Sequence, residues 1–391
     1  MLGVFALALN LRPSLTSLPP IFIDLQRDIG LSSGQVTLLA AIPLLCFGVF
    51  SVLAGPLTRR LGEERVLAIA MVGLVGGLVL RGFAPHELIY PGTVLAAGAI
   101  SLLNVLLSSL IKRRYPERAG FLLGMYLTAL YVGSIFGSAL AVPVLDHSHS
   151  VHLSLSMWAL PALAGLVIWI PQLRRGRLAP PEVVHLPLYK SALSWEVAGF
   201  MGLQSLTYYA TVSWLPTMLR ERGSSATHAG YLTAALSIGG LVTAFAVPMV
   251  AHRRSDHRVL VAPSVALCLV ATAGAFAGPI GAVPTFIVIL GFGQGAALAL
   301  ALYFFIARSP SPLAAASLSA MSQGFGYLLA STGPLIVGFV HSAVGNWTVP
   351  MVILLGFLLA EGAAGILAAR PLILPMGSAL PDGLAEVPAK R

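Results

Sequence analysis

Apolar windows near the roughly 20 residues that cross a bilayer as helix recur along the chain at 2–24, 34–57, 65–83, 88–111, 119–145 and 153–172. A short basic, proline-bearing stretch at 173–190 interrupts the series, and six more windows follow at 194–219, 228–251, 258–277, 283–307, 313–341 and 347–370. The pattern predicts an all-α membrane protein of twelve transmembrane helices in two pseudo-symmetric six-helix bundles, 1–172 and 191–371, joined by a linker at 173–190 and followed by a tail at 372–391. Internal repetition supports that division. At an offset of 196 residues Met125, Tyr131 and Gly137 match Met321, Tyr327 and Gly333, and Lys112 and Pro116 match Arg308 and Pro312, while Leu18-Pro19 meets Leu215-Pro216 at 197. Parallel repeats of this kind are a transporter signature.

One position breaks the apolar pattern of the first window. Arg12 sits halfway along it, and a charge at bilayer depth costs about 2.5–3.5 kcal/mol on insertion scales, so it should face protein or water. Pro13 cannot donate to the carbonyl of Leu9 and disfavours α geometry at Arg12, which predicts a helix interrupted beside a substrate cavity.

Composition removes several function classes. With 57% of residues hydrophobic and 9% charged, against about a quarter charged in soluble domains, the chain is no soluble globule, and its net charge of +9 is a topology signal and not a nucleic-acid footprint. Alternate assignment of loops puts 18 of the 23 Lys and Arg residues on the side of the termini and linker. Arg27, Arg81, Arg220 and Arg222 fall on the opposite side. The positive-inside rule makes the first side cytoplasmic, so the expectation is a multi-pass inner-membrane protein with both termini inside. The first window has no basic n-region and no cleavage site, and it is read as a span and not as a signal peptide. Cys46 and Cys268 lie in apolar windows of different halves and read as packing residues. No nucleotide loop, H-E-x-x-H or G-x-S-x-G occurs, so neither an ATP-driven pump nor an enzyme is expected, and no cofactor or metal. His147, His149 and His152 beside Asp146 lack diagnostic metal spacing and read as a loop. Gly73/Gly77, Gly133/Gly137 and Gly291/Gly295 read as close helix packing.

Three segments carry a family resemblance: Leu9-Asn-Leu-Arg-Pro-Ser-Leu-Thr-Ser17, Ile111-Lys-Arg-Arg-Tyr-Pro-Glu-Arg118 and Leu123-Gly-Met-Tyr126. On these the chain resembles the cyanate and nitroimidazole transporter branch of the major facilitator superfamily, over nearly its whole length. The superfamily's loop between spans two and three is only partly kept as Gly55-Pro-Leu-Thr-Arg-Arg-Leu-Gly-Glu-Glu64, with Arg59 at the usual Asp position and Glu63-Glu64 where a basic pair is usual. The resemblance implies that spans one, four, seven and ten line the cavity.

Polar side chains at membrane depth then form the candidate substrate site: Arg12 as anion anchor, with Asn10, Thr16, Asn104, Tyr131, Gln204, Tyr208, Gln294, Gln323 and Tyr327. For the amides and phenols, ordinary interhelical hydrogen bonding is the competing role. Glu361 in span twelve is a candidate proton site, with a structural or snorkelling role as its alternative. A buried cation without a cavity-facing acid selects an anion, so the expected partners are a small anionic or nitro-bearing solute and the lipid bilayer, with no nucleic acid and a monomeric protein. A proton-coupled exporter of hydrophobic compounds, a membrane enzyme and a transporter-like receptor are the other readings, and uniport, exchange and proton coupling all stay open.

Overall fold

The computed structural model describes residues 2–83, 86–174 and 188–375, so most of the expected linker and tail lie outside the described residues. The first traverse is broken into α1 (Leu2–Leu9), α2 (Pro13–Thr16), a 3₁₀ turn (Pro19–Ile21) and α3 (Phe22–Ile29). The first half continues through α4 (Ser33–Ser51), the short α5 (Ala54–Leu61), α6 (Glu63–Phe83), α7 (Ile89–Arg114), α8 (Ala119–Ser148) and the pair α9 (Val151–Ser156) and α10 (Ala159–Trp169). The second half holds α11 (Ala192–Glu221), α12 (Ala226–Ala251), α13 (Arg258–Ala277), α14 (Val283–Ala307), α15 (Pro312–Val344) and α16 (Thr348–Ala368). Among the described residues ten segments are long and apolar enough to cross a membrane by length and composition. The two remaining traverses are the broken first one and α11, which is long but carries the polar residues of the site.

The halves meet along two seams, α4 beside α15 and α8 beside α12. One apolar cluster fills the first half around Leu7, Leu67, Met71 and Leu107, and another fills the second around Phe200, Leu300 and Phe304. A third runs between the halves through Leu18, Phe22, Trp214 and Leu215. Its residues lie late in the first and seventh traverses, so the halves are joined toward the face opposite the N-terminus. Large apolar side chains such as Phe121, Leu160, Met249 and Val270 are exposed, which suits contact with lipid.

Proline explains the break in the first traverse. Pro13 opens α2 with Arg12 as its N-cap residue, and Pro19 opens the 3₁₀ turn; neither can donate a backbone hydrogen bond. The carbonyl of Leu9, which Pro13 leaves without its helical donor, is packed against α8. It faces Gly133, where an added Cβ would come within 2.6 Å of it. One turn on, a Cβ at Gly137 would meet Thr16 Oγ1 at 2.2 Å and the Pro13 backbone at 2.8 Å. The irregular first traverse is thus held against α8 by two missing side chains. Arg81, expected at the outer end of the third span, is also buried here. It donates to the carbonyl of Ser14 at 3.0 Å and of Leu155 at 3.2 Å, so it braces the broken segment.

On the face carrying the N-terminus, the ion pairs given by the described residues join groups of the same half. Arg113 pairs with Glu63 at 3.0 Å and Arg114 with Glu64 at 3.3 Å, which is how the unusual Glu63-Glu64 loop is satisfied, and Arg370 pairs with Glu196. Arg308 is buried and donates to the carbonyls of Ala368 and Ala369 and, at 2.6 Å, to His257 Nδ1. That contact needs a neutral imidazole whose Nε2–H faces the Ala251 carbonyl at 3.2 Å.

Two outcomes are expected. Gly137→Val should lower the thermal midpoint of the purified protein, because overpacking against fixed backbone costs about 1–3 kcal/mol; differential scanning fluorimetry reads this. Burial first, and then the Arg308 charge, hold the His257 imidazole below its ordinary value. The unfolded chain therefore takes up the proton first as pH drops, and the stability from neutral His257, full above about pH 6.5, is lost below it. Acidification should lower the wild-type thermal midpoint more than that of His257→Gln.

Candidate substrate-binding site

Arg12 projects from the break between α1 and α2, where no regular helix fixes it and its partners come from the opposite half. Its guanidinium donates to the Tyr209 hydroxyl at 2.8 Å, and its Cζ lies 5.5 Å from the Tyr209 ring centroid and 5.9 Å from that of Tyr208. Tyr327, Tyr131 and Tyr126 are within electrostatic reach of the same charge. Five phenols thus surround one cation, with ring faces and hydroxyls that hold it without neutralising it.

The expected residues divide on inspection. Tyr131, Tyr208 and Tyr327 join Arg12, and Tyr327 also packs edge-on against Phe47 of the other half. Asn104 accepts a 2.7 Å hydrogen bond from Tyr126, at the edge of the same group. Thr16 borders the site but spends its hydroxyl on the Arg12 and Ser134 carbonyls. Asn10 turns away, donating to the Ala6 carbonyl at 2.8 Å and facing Gly165 of α10; with the helix broken at Leu9, the regular face expected to carry it past Arg12 does not exist. Gln323 donates to Ser319 on its own helix. Gln204 is buried and accepts from its neighbour Ser205. Gln294 donates to Thr211 at 3.3 Å, and its Oε1 is buried without a partner. Glu361 does not snorkel. It is 1% exposed and accepts from Thr207 at 2.8 Å.

Tyr209, Tyr126 and the pair Asp24–Arg220 were not expected. Arg220 donates to Asp24 at 2.6 and 3.2 Å and to the Pro20 carbonyl. The signal for two of these contacts was in the repeat. Arg12 and Tyr209 are 197 residues apart and Asp24 and Arg220 are 196 apart, the offsets that relate the halves. Equivalent positions near a pseudo-two-fold axis face one another across it, which is how Arg12 and Asp24 come to meet the residues that the repeat pairs with them.

A cavity of about 220 Å³ lies within the first half, lined by Val4, Phe5, Ile111, Tyr115, Leu122, Met125 and Tyr126. A second, of about 30 Å³, lies on the far side, where Tyr208 and Tyr209 meet Leu18, Phe22 and Leu39. Further bonds between the halves, Ser134 with Ser237 at 3.0 Å and Thr227 to Asp146 at 3.2 Å, lie at mid-depth or on that far side. Asp146 and His147, expected in a loop, lie in the last turn of α8 and His152 lies in α9; Asp146 is a contact between halves, and among the described residues no three metal-ligating side chains converge.

Residues 1–334 match the model of the Major Facilitator Superfamily. The chain belongs to this superfamily. It is 36% identical to an uncharacterised transporter of Bacillus subtilis, YycB, over 94% of this chain and 92% of the relative. It is 35% identical to the 2-nitroimidazole transporter of Escherichia coli, with 92% of each chain covered, and 28% identical to the cyanate transport protein CynX of the same organism, over 89% and 91%. Its fold is similar to a bacterial homologue of the lysosomal transporter Spinster solved in an inward-facing, unoccupied conformation, with a TM-score of 0.76, 15% identity and 95% and 96% of the two chains covered. The protein is a superfamily transporter of the cyanate- and nitroimidazole-transporter type, and not an enzyme.

The Asp24–Arg220 bridge clamps the far side, with both side chains largely buried. Asp24→Asn should open that face. Labelling of a cysteine placed at Ser213 by an impermeant maleimide is expected to rise at least about tenfold, since breaking one partner of a buried pair costs more than the 1.4 kcal/mol that a tenfold shift needs.

Proposed function

We propose that this protein moves a small, planar, anionic or nitro-bearing solute across the inner membrane by alternating access, with Arg12 as the anchor. The observation that carries this reading is the pairing of Arg12. Its direct partner is a phenol and not a carboxylate, so the site is left with a full positive charge for a ligand to neutralise. In the low-dielectric interior that contact is strong. The Tyr209 hydroxyl occupies the position a ligand oxygen would take, so binding exchanges one acceptor for a better one and releases Tyr209 from the other half. Ring faces from Tyr208 and Tyr209 favour flat, delocalised solutes. The named substrates of two relatives, 2-nitroimidazole and cyanate, fit that description.

The two bodies that rock are taken as 1–172 and 191–371, with 173–190 as the hinge connection, acting as a monomer. The excess of Lys and Arg on the terminal side puts both termini in the cytoplasm. The clamp of Asp24 and Arg220 then closes the outer side.

Uptake of labelled cyanate and 2-nitroimidazole into proteoliposomes tests the reading. Wild type should accumulate at least one of them, and Arg12→Ala should lose on the order of 10- to 100-fold in rate, the worth of a charged hydrogen bond. Arg12→Lys should recover little, because a point ammonium cannot reproduce the planar fork. Wild-type rates in Arg12→Ala would overturn the anchor.

A further inference from the structure

The contacts of Arg12 leave the cavity of about 220 Å³ in the first half without a role. Its wall comes from α1, α7 and α8. Val4, Phe5, Leu122 and Met125 give it apolar surface, Tyr115 and Tyr126 add phenol rings, and none of the lining residues carries a charge. Tyr126 belongs to two places at once. It lines the cavity, and its phenol also lies within electrostatic reach of Arg12 and of Tyr209. Its hydroxyl proton is engaged by Asn104 Oδ1 at 2.7 Å. Phe5 precedes Arg12 by seven residues on the first traverse, which puts its backbone about 10 Å from that of the anchor along the helix axis.

Volume and polarity together select an occupant. An apolar cavity of about 150 Å³ excludes water and takes up benzene. One of about 220 Å³ has room for a single aromatic ring with a substituent, whereas a solute as small as cyanate held at Arg12 would leave it unfilled. We propose that this cavity is the subsite for the ring of the transported solute, a monocyclic aromatic anion of the benzoate type, with its carboxylate at Arg12 and its ring against Phe5, Leu122 and Met125. The proposal rests on the anchor reading above and adds a size rule to it. Because the Tyr126 hydroxyl already donates to Asn104, it offers no donor that competes with Arg12 for the carboxylate. Arg12 and the lining all belong to the first half, whereas Tyr208 and Tyr209 reach the anchor from the second. Ring and carboxylate therefore stay with one body as the halves move, and that body alone reads the size of the solute.

Isothermal titration of the purified protein with acetate, benzoate and naphthoate tests the subsite while the charged group is held constant. Wild type should bind benzoate roughly 10- to 100-fold tighter than acetate, as burial of one aromatic ring implies, and should reject naphthoate. Leu122→Trp fills the cavity and should cut the benzoate-to-acetate affinity ratio at least about tenfold. Leu122→Ala enlarges it and should raise naphthoate affinity by about the same factor; if Leu122→Trp fails to fold, this gain decides alone. No binding of benzoate by wild type, or binding equal to that of acetate as a cavity filled by lipid would give, overturns the subsite. So does a Leu122→Ala protein that rejects naphthoate as wild type does. Arg12→Ala should weaken acetate and benzoate by similar factors. If it weakens neither while the ring preference and its dependence on Leu122 persist, the anchor falls and the subsite stands; if it weakens both and wild type shows no ring preference, the subsite falls and the anchor stands.

Discussion

A guanidinium at mid-depth of a membrane protein must be held by something, and the choice of holder shapes the rest of this molecule. Among the described residues Arg12 has no acid beside it. It is held by a phenol from the other half, two aromatic faces and three more phenols nearby. Neutral partners stabilise the charge without removing it. The central interaction between the halves is therefore also the one an anionic or nitro-bearing ligand would replace, and the contact that closes the protein is the contact that recognition would open.

The broken first traverse is what makes this geometry available. Prolines at 13, 19 and 20 prevent a continuous helix, and the irregular backbone is then buried against Gly133 and Gly137 and braced by Arg81. Irregular backbone survives at membrane depth only when protein supplies its hydrogen bonds. Arg81 does so at Ser14, and the Thr16 hydroxyl ties α2 to the Ser134 carbonyl. The equivalent traverse of the second half, α11, stays regular, with Pro216 near its end. One half thus presents a charge on a bent segment, and the other presents Tyr208 and Tyr209 on a continuous helix.

Much of this was legible in the sequence. Apolar windows of bilayer length, the 196-residue repeat and the lone Arg12 before Pro13 imply twelve traverses, two halves and a charged centre, because each rests on local chemistry: desolvation of a charge, the missing N–H of proline, the cost of unpaired backbone in lipid. Side-chain direction was less legible. Asn10, two residues from Arg12, turns to α10, because the chain leaves helical geometry between them and the 3.6-residue period no longer relates the two.

What only the tertiary structure decided is which distant residues meet. The repeat relates Arg12 to Tyr209 and Asp24 to Arg220 as equivalents, and only the packing of the halves about a common axis turns equivalence into contact. The same holds for Glu361. Its position in a helix away from the cavity reads as peripheral along the chain, yet α16 lies against α11 and brings the acid to Thr207. Composition, period and proline act through nearest neighbours in the chain, whereas a charge responds to whatever folding places within a few ångströms of it.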